Sequence, residues 1–335
     1  MAAEPRGLES RRRLIVIAWG VVGAGSVAQR RTIPAILKAR GMRLAALMVR
    51  DLGRAQQLAA RFGAPAYYDT VEGVLQDSAV NAVYIATPVY LHCQHVLASA
   101  KYGKHVLCEK PMAMDVGQCQ RMIDACRANN VHLEICFVLR HWPIYKHVKQ
   151  TIESGKLGEV VEIRGHVAKW KPRRDEEWRT DPRKAGGGSL MDVGSHYLDL
   201  FRYLLGEYEA ISYMGGSPVF GWEVEESAFV MLRFSSGAHG LLTVSSAVPY
   251  TCYSIEVYGT KGTMLLGDTL ELITPAGTSK EPADYPDYYD DLLEHFRQCV
   301  EEGRQPVCTP QDGLRNIQTI TAAYRCAKSG RTQPL

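Results

Sequence analysis

The sequence has no apolar run near the roughly 20 residues that a membrane-spanning helix needs. The apolar stretch 14–22 follows Arg11, Arg12 and Arg13 and imitates a secretion signal. Cleavage there would sever the glycine motif that comes next, so we interpret it as a tail and a buried strand. We therefore predict a cytoplasmic protein with no membrane partner.

Patterned cysteines and one-sided charge are also missing. The nine cysteines are an odd number and form no C-x-x-C pair, which favours free thiols in a reducing compartment. The 39 basic and 36 acidic residues leave a net charge of +3. Without a basic stripe, we predict no nucleic-acid partner.

Residues 1–136 alternate between short apolar runs and helical patterns. We predict strands at 14–22, 43–49, 81–86, 105–108 and 131–137, separated by helices at 26–40, 53–62, 91–102 and 115–129. Repeated βα units predict a doubly wound parallel sheet, hence an α/β Rossmann domain over 1–136.

The pattern changes after residue 136. We predict a strand at 160–170, several strands between 210 and 273, and helices at 189–205, 285–302 and 311–328. Strands without crossover helices indicate a mainly antiparallel sheet. The second predicted domain, 137–335, is therefore α+β with an open sheet and serves substrate binding and oligomerisation.

A glycine fingerprint, G-x-G-x-x-A, begins at Gly23. It follows a predicted strand and opens a helix, as in dinucleotide-binding domains. Gly23 permits the tight turn and Gly25 lets the backbone approach a pyrophosphate. The helix start at Ser26 and Val27 offers N–H groups to the phosphates. We predict NAD(P) as the cofactor.

The end of the second strand should select between NAD and NADP. Val49 occupies the position where NAD-specific domains usually have a carboxylate, and Arg50 follows it. This favours NADP modestly, with Arg50 facing the 2′-phosphate. The alternative is that Asp51 lies later than the usual carboxylate position and still binds the ribose of NAD.

Several short motifs follow in a specific order. They are Ala86-Thr87-Pro88 with His92, Glu109-Lys110-Pro111, Arg140 with Pro143, Gly187-Gly188 leading to Asp192-Val193-Gly194-Ser195-His196, and Tyr258-Gly259-Thr260-Lys261-Gly262. Over nearly the whole chain they resemble the glucose–fructose oxidoreductase, inositol dehydrogenase and rhizopine catabolism (Gfo/Idh/MocA) family. Val89 departs from that family, which often has Asn there, near the nicotinamide.

The resemblance implies a catalytic set and a cofactor site. The implied catalytic residues are Lys110, Asp192 and His196. The implied cofactor contacts, beyond the fingerprint and Arg50, are Thr87, Pro88, His92, Glu109 and Lys110. Two alternatives stay open: Asp192 and His196 could be a surface pair, and Lys110 a solvated loop residue.

Oxidation of a secondary alcohol leaves a hydroxyl proton to be removed, and the reverse reduction needs an acid. Histidine as a residue type titrates near neutrality and suits this exchange. His196 lies four residues after Asp192 on the predicted helix, so both share one face. Lys110 can stabilise an alkoxide. Either His196 or Lys110 could carry the proton; we favour His196, with Lys110 as an electrostatic anchor.

Aromatic and guanidinium side chains suit a sugar-binding wall. For substrate binding we predict Arg140, Trp170, Trp178, Asp192 and His196. Further wall candidates are Trp142, Tyr145, Arg173, Arg174, Arg179 and Tyr197. Their alternative is core packing for the aromatics and solvation for the arginines. The run 92–95 lacks metal-ligand spacing, so we predict no metal.

We therefore expect hydride transfer between NAD(P) and a secondary hydroxyl or ketone of a sugar, glycoside or cyclitol. One alternative is a glycosidase that uses NAD for transient oxidation; another is a non-enzymatic sugar-sensing regulator on the same fold. The open sheet implies a homodimer or homotetramer, because family resemblance suggests that two such faces pack together.

Overall fold

The computed structural model describes residues 16–172, 178–249, 251–283, 285 and 288–335. Its first sheet contains six strands: β1 Ile17–Val22, β2 Met42–Met48, β3 Ala66–Tyr68, β4 Ala82–Ile85, β5 His105–Cys108 and β6 Leu133–Ile135. Their order is β3-β2-β1-β4-β5-β6, and every pairing is parallel. The predicted Rossmann sheet is confirmed.

Every residue of β1 is buried, as expected for a parallel strand covered on both faces. The accompanying helices are α1 Ile33–Lys38, α2 Leu52–Phe62, α3 Val71–Gln76, α4 His92–Lys101 and α5 Val116–Ala128. A π-helical turn over Ala28–Thr32 precedes α1. The sequence prediction missed β3 and α3, because both are too short to show a period.

The second sheet contains nine strands. They are β7 Val160–Ala168, β8 Tyr208–Gly216, β9 Ser227–Phe234, β10 His239–Ser245, β11 Cys252–Gly259, β12 Thr263–Leu266, β13 Thr269–Thr274, β14 Gly277–Pro282 and β15 Gln333–Pro334. The order is β14-β13-β12-β11-β7-β10-β9-β8-β15. All pairings are antiparallel except β7 with β10, so the predicted mainly antiparallel sheet is confirmed.

The remaining helices connect the two sheets. They are α6 Pro143–Glu153, α7 Pro182–Ala185, α8 Ser195–Leu205, α9 Tyr289–Glu302 and α10 Pro310–Ser329. Helix α9 returns to the first sheet, where the ring of Phe296 lies 4.9 Å from that of Trp19. Gly313 of α10 packs so closely on Met112 that an added Cβ would lie 2.6 Å from its sulfur. The two C-terminal helices therefore join the second half of the chain to the Rossmann layer.

Across the described ranges, no helix has both the length and the apolar character needed to span a bilayer.

Candidate active site

The glycine fingerprint forms a tight turn whose backbone conformation and close contacts require glycine at Gly23. Gly23 has a φ of +85°, and a Cβ there would lie 2.9 Å from the backbone nitrogen of Thr87. Only glycine fits this position. At Gly25, a Cβ would meet nothing closer than the Gly23 carbonyl oxygen at 3.8 Å. The open space beside Gly25, at the start of a helix, fits a dinucleotide pyrophosphate.

Arg50 and Asp51, the two charged residues after β2, have different surroundings. The side chain of Arg50 is exposed. Asp51 is the N-cap of α2, and its Oδ1 accepts a hydrogen bond of 2.7 Å from the backbone nitrogen of Arg54. Asp51 therefore stabilises a helix start.

His92 links the loops that follow β4 and β5. Its Nε2 lies 2.8 Å from the carbonyl oxygen of Thr87, and its Nδ1 lies 3.0 Å from that of Pro111. The ring is buried, and burial lowers its pKa below the ordinary histidine value. His92 thus fixes the loop that carries Lys110.

The Glu109 carboxylate also fixes the loop that carries Lys110, through three hydrogen bonds. Its Oε1 accepts a hydrogen bond of 2.5 Å from the Tyr84 hydroxyl, and its Oε2 accepts one of 3.2 Å from the backbone nitrogen of Lys110. Tyr289 of α9 also donates to Oε1, at 3.4 Å. The Lys110 backbone is therefore anchored to the sheet.

Asp192 and His196 lie where a π-helical turn over Leu190–Gly194 runs into α8. The sequence predicted regular helix here. The start of the segment is fixed by Glu225, whose carboxylate accepts hydrogen bonds of 2.9 Å from the backbone nitrogens of Gly188 and Leu190. A Cβ at Gly188 would lie 1.8 Å from the Glu225 carbonyl oxygen, so this contact requires glycine.

The structure brings Lys110 and Asp192 together across the two halves of the chain. The Lys110 Nζ donates to the Asp192 carbonyl oxygen at 2.6 Å and lies 3.4 Å from its Oδ1. Lys171 donates to Oδ2 at 3.2 Å, and the Arg179 Nε lies 4.0 Å from Oδ2. Three cationic side chains thus surround one carboxylate.

His196 lies beside this cluster. Its Nδ1 is buried and has no hydrogen-bond partner among the residues that the structure describes. Burial lowers its pKa well below the ordinary value, and the nearby charges of Lys110 and Lys171 lower it further, against an opposing effect of Asp192. The imidazole is therefore neutral at neutral pH and able to accept a proton.

Of the predicted substrate aromatics, Trp178 lines a shallow cavity beside Asp192, with the Arg179 guanidinium 4.2 Å from its ring centroid. Val89 and Pro111 also line this cavity. Trp170 is 44% exposed and packs on Phe220 at 4.9 Å. It thus contacts a neighbouring aromatic ring, whereas Lys171 contacts the site.

Two family models match the chain. The model described as "Oxidoreductase family, NAD-binding Rossmann fold" covers residues 17–137, and "GFO/IDH/MocA C-terminal domain" covers residues 145–265. A 1,5-anhydro-D-fructose reductase from Ensifer adhaerens is 30% identical over 93% of this chain and 97% of that protein. The chain belongs to the Gfo/Idh/MocA family.

Two further relatives of the family are similar over almost their whole lengths. "D-xylose 1-dehydrogenase (NADP(+)) 2" from Haloferax volcanii is 30% identical over 93% of this chain and 98% of that protein. The aldose-aldose oxidoreductase structure from Caulobacter crescentus, complexed with glycerol, is 30% identical, with a TM-score of 0.87 over 95% of this chain and 99% of that one.

One residue of the family pattern, Arg140, belongs to a buried ion-pair network. Its guanidinium donates to both carboxylate oxygens of Asp199, at 2.8 and 2.6 Å, and to the Val307 carbonyl oxygen at 2.8 Å. The side chain is buried and also lies 3.2 Å from Asp312. These contacts hold the Arg140 guanidinium in a buried ion-pair network and engage most of its N–H donors.

Of the other candidates for the substrate wall, three aromatic residues pack with one another or in the core, and two arginines lie outside the described residues. Tyr145 and Tyr197 are buried core residues, and Trp142 stacks on Tyr145 at 5.9 Å. Arg173 and Arg174 lie outside the described residues, as do Arg11, Arg12 and Arg13.

Sequence reasoning missed Lys171 and Glu225 as residues that contact or position Asp192. Lys171 carries a weak signal, since it directly follows the predicted strand 160–170. Glu225 carries none, because its partners at Gly188 and Leu190 are distant in sequence.

Proposed function

We propose that this chain catalyses hydride transfer between NADP and a secondary hydroxyl, or the matching ketone, of a sugar, glycoside or cyclitol. One observation carries the proposal: Lys110 meets Asp192 beside His196, whose Nδ1 is buried. The names of relatives support the substrate class, since they include levoglucosan and scyllo-inositol dehydrogenases. When bound, the nicotinamide supplies the hydride acceptor or donor.

The side chains supply the rest of the chemistry. In oxidation, neutral His196 accepts the proton of the reacting hydroxyl, and the Lys110 ammonium stabilises the developing alkoxide. In reduction, the protonated imidazole returns that proton. Asp192 orients Lys110 through the 2.6 and 3.4 Å contacts and offers a carboxylate oxygen to neighbouring substrate hydroxyls.

The cofactor preference rests on the end of β2. Asp51 uses Oδ1 to cap α2, while the Arg50 side chain is exposed one residue earlier. A guanidinium pairs well with a phosphate. These positions support NADP over NAD, with Gly23, Gly25, Ser26 and Val27 at the pyrophosphate and Thr87, Pro88, Glu109 and Lys110 nearer the nicotinamide.

The proposed assembly is a homodimer or homotetramer formed through the second sheet. Apolar side chains on one face remain exposed, with exposed fractions of 74% for Met214, 54% for Phe229 and 61% for Met231. Met214 pairs with Phe229 across β8 and β9, so the patch is continuous. A second copy of the same face would cover it.

The proposed location is the cytoplasm. All nine cysteines are free thiols, and eight of them are buried. Unpaired thiols suit a reducing compartment.

The direct test is reduced-nicotinamide absorbance with purified protein, NADP or NAD, and a panel of neutral sugars, acidic sugars, glycosides and cyclitols. A steady signal with one substrate, larger with NADP, supports the proposal. A flat trace with free sugar released from a glycoside would instead identify the cofactor-recycling glycosidase.

A further inference from the structure

A second group of titratable side chains lies apart from the active site, where the edge strand β6 meets α9. His132 and Glu134 are two residues apart on an extended segment, so both side chains lie on one face. On α9, Cys299 faces them, and Phe296 packs edge-on against the His132 ring at 5.0 Å. This group contains three kinds of metal-ligating atom.

Glu134 is fully buried, with an exposed fraction of 0%. Neither of its carboxylate oxygens has a hydrogen-bond partner within the described part of the chain, nor does the His132 Nε2, which lies 3.5 Å from Oε2. A buried polar atom without a partner is destabilising, and a charged one more so. Three such atoms side by side indicate a group that is bound by all of them.

The donor atoms match one class of ligand. One donor atom each from His132, Glu134 and Cys299 lies within 4.8 Å of the others. Zn²⁺ takes imidazole nitrogen, carboxylate oxygen and thiolate sulfur at about 2.0–2.3 Å in tetrahedral geometry. A small inward movement of these side chains would complete three of its four positions.

We propose that His132, Glu134 and Cys299 form a Zn²⁺ site that fastens α9 to the edge of the Rossmann sheet. The sequence analysis predicted no metal after rejecting the run 92–95. It could not find this triad, because Cys299 is remote from His132 and Glu134 along the chain. The site is independent of hydride transfer, since none of its three residues contacts Lys110, Asp192 or His196.

A second triad shares Glu134. The His141 Nε2 lies 3.9 Å from Glu134 Oε1, and Cys308 completes the group. We assign the ion to the first triad, because His132 Nε2 has no partner in the described ranges, whereas His141 Nε2 contacts the Cys308 sulfur at 3.6 Å. The Cys299 sulfur lies 3.3 Å from His295 Nε2, a contact that the ion would replace.

The test is Co²⁺ titration of the full-length, tag-free protein after treatment with a chelator. We expect one equivalent to bind with thiolate-to-cobalt charge-transfer absorbance, and Zn²⁺ to displace it. Cys299→Ser should lose that absorbance, and Glu134→Gln should bind about tenfold or more weakly. The control Cys252→Ser, which changes an exposed thiol, should behave as wild type.

Thermal unfolding provides a readout that does not depend on the absorbance. Zn²⁺ should raise the Tm of the wild type, because it binds the folded chain more tightly than the unfolded one, and should raise the Tm of Glu134→Gln less at the same Zn²⁺ concentration. The proposal is overturned by a wild-type titration without thiolate absorbance, or by absorbance that survives in Cys299→Ser. Loss in Cys308→Ser instead would overturn the assignment to the first triad.

Discussion

The Lys110 ammonium lies 2.6 Å from the carbonyl oxygen of Asp192, and so joins the loop after β5 to the segment that precedes α8. The backbone on each side of this contact is fixed by hydrogen bonds from other residues. His92 and Glu109 fix the loop of Lys110, and Glu225 fixes the segment of Asp192. The contact is therefore a product of two separately anchored backbones, which is how an active site achieves preorganisation.

Replacing Lys110 should remove turnover but spare cofactor binding. Lys110→Ala deletes the charge that stabilises the alkoxide, so kcat should fall about 10²–10³-fold, while the Kd for NADP, measured by fluorescence titration, stays close to that of the wild type. Lys156→Ala, which changes an exposed lysine, is the matched control. Wild-type turnover in Lys110→Ala would remove this residue from the mechanism.

The pH profile should report His196. Burial and the charge of Lys110 lower its pKa well below 6.5, and protonation removes its ability to accept a proton. The acid limb of kcat/KM for oxidation should therefore lie below pH 6.5. Lys171→Met, which removes a second nearby positive charge, should move the limb upward. A wild-type limb at or above pH 6.5 would contradict this role.

Arg50 should decide between the two cofactors. Arg50→Ala removes a charge-assisted contact with the 2′-phosphate, worth about 1.5–3 kcal/mol, so KM for NADP should rise about ten- to hundredfold and KM for NAD should hardly change. Arg54→Ala, which changes an exposed arginine on α2, serves as the control. Equal effects of Arg50→Ala on both cofactors would support NAD instead.

Arg140 should matter for stability and not for substrate affinity. Arg140→Met leaves Asp199 buried without its partner, which should lower the free energy of unfolding by about 3–5 kcal/mol, measured by urea denaturation. At a low temperature, where the Arg140→Met variant is still folded, its KM for substrate should equal that of the wild type. A matched change at the exposed Arg164 should leave the urea midpoint in place. A raised KM with unchanged stability would restore Arg140 to the site.

The exposed sheet face should control assembly. Met231→Lys introduces a charge into the centre of the apolar patch, so an assembly formed through this face should dissociate to monomers in light scattering. Lys156→Ala again provides a control on a different surface. A wild-type protein that is monomeric at micromolar concentration would contradict the proposed dimer.

The parts of the fold that follow local rules were predictable from the sequence. The fingerprint at Gly23 and the alternating elements identified the Rossmann sheet, since glycine sterics and burial period act over a few residues. The π-helical turn at Asp192 was not predicted, because the sequence pattern there is that of an ordinary helix and the Glu225 contacts with Gly188 and Leu190 are remote in sequence. The partners of Arg140, Asp199 and Asp312, were not predictable either, because they reach it only through tertiary packing.

The most direct measurement of hydride transfer is isotopic. A substrate found in the panel, deuterated at the carbon that carries the reacting hydroxyl, is turned over with NADP, and the cofactor is recovered for NMR. We predict one deuterium per turnover at C4 of the nicotinamide, with labelled cofactor formed about 10²–10³-fold more slowly by Lys110→Ala. Unlabelled cofactor, with free sugar accumulating from a glycoside, would contradict net oxidation and assign the chain to transient-oxidation glycosidases.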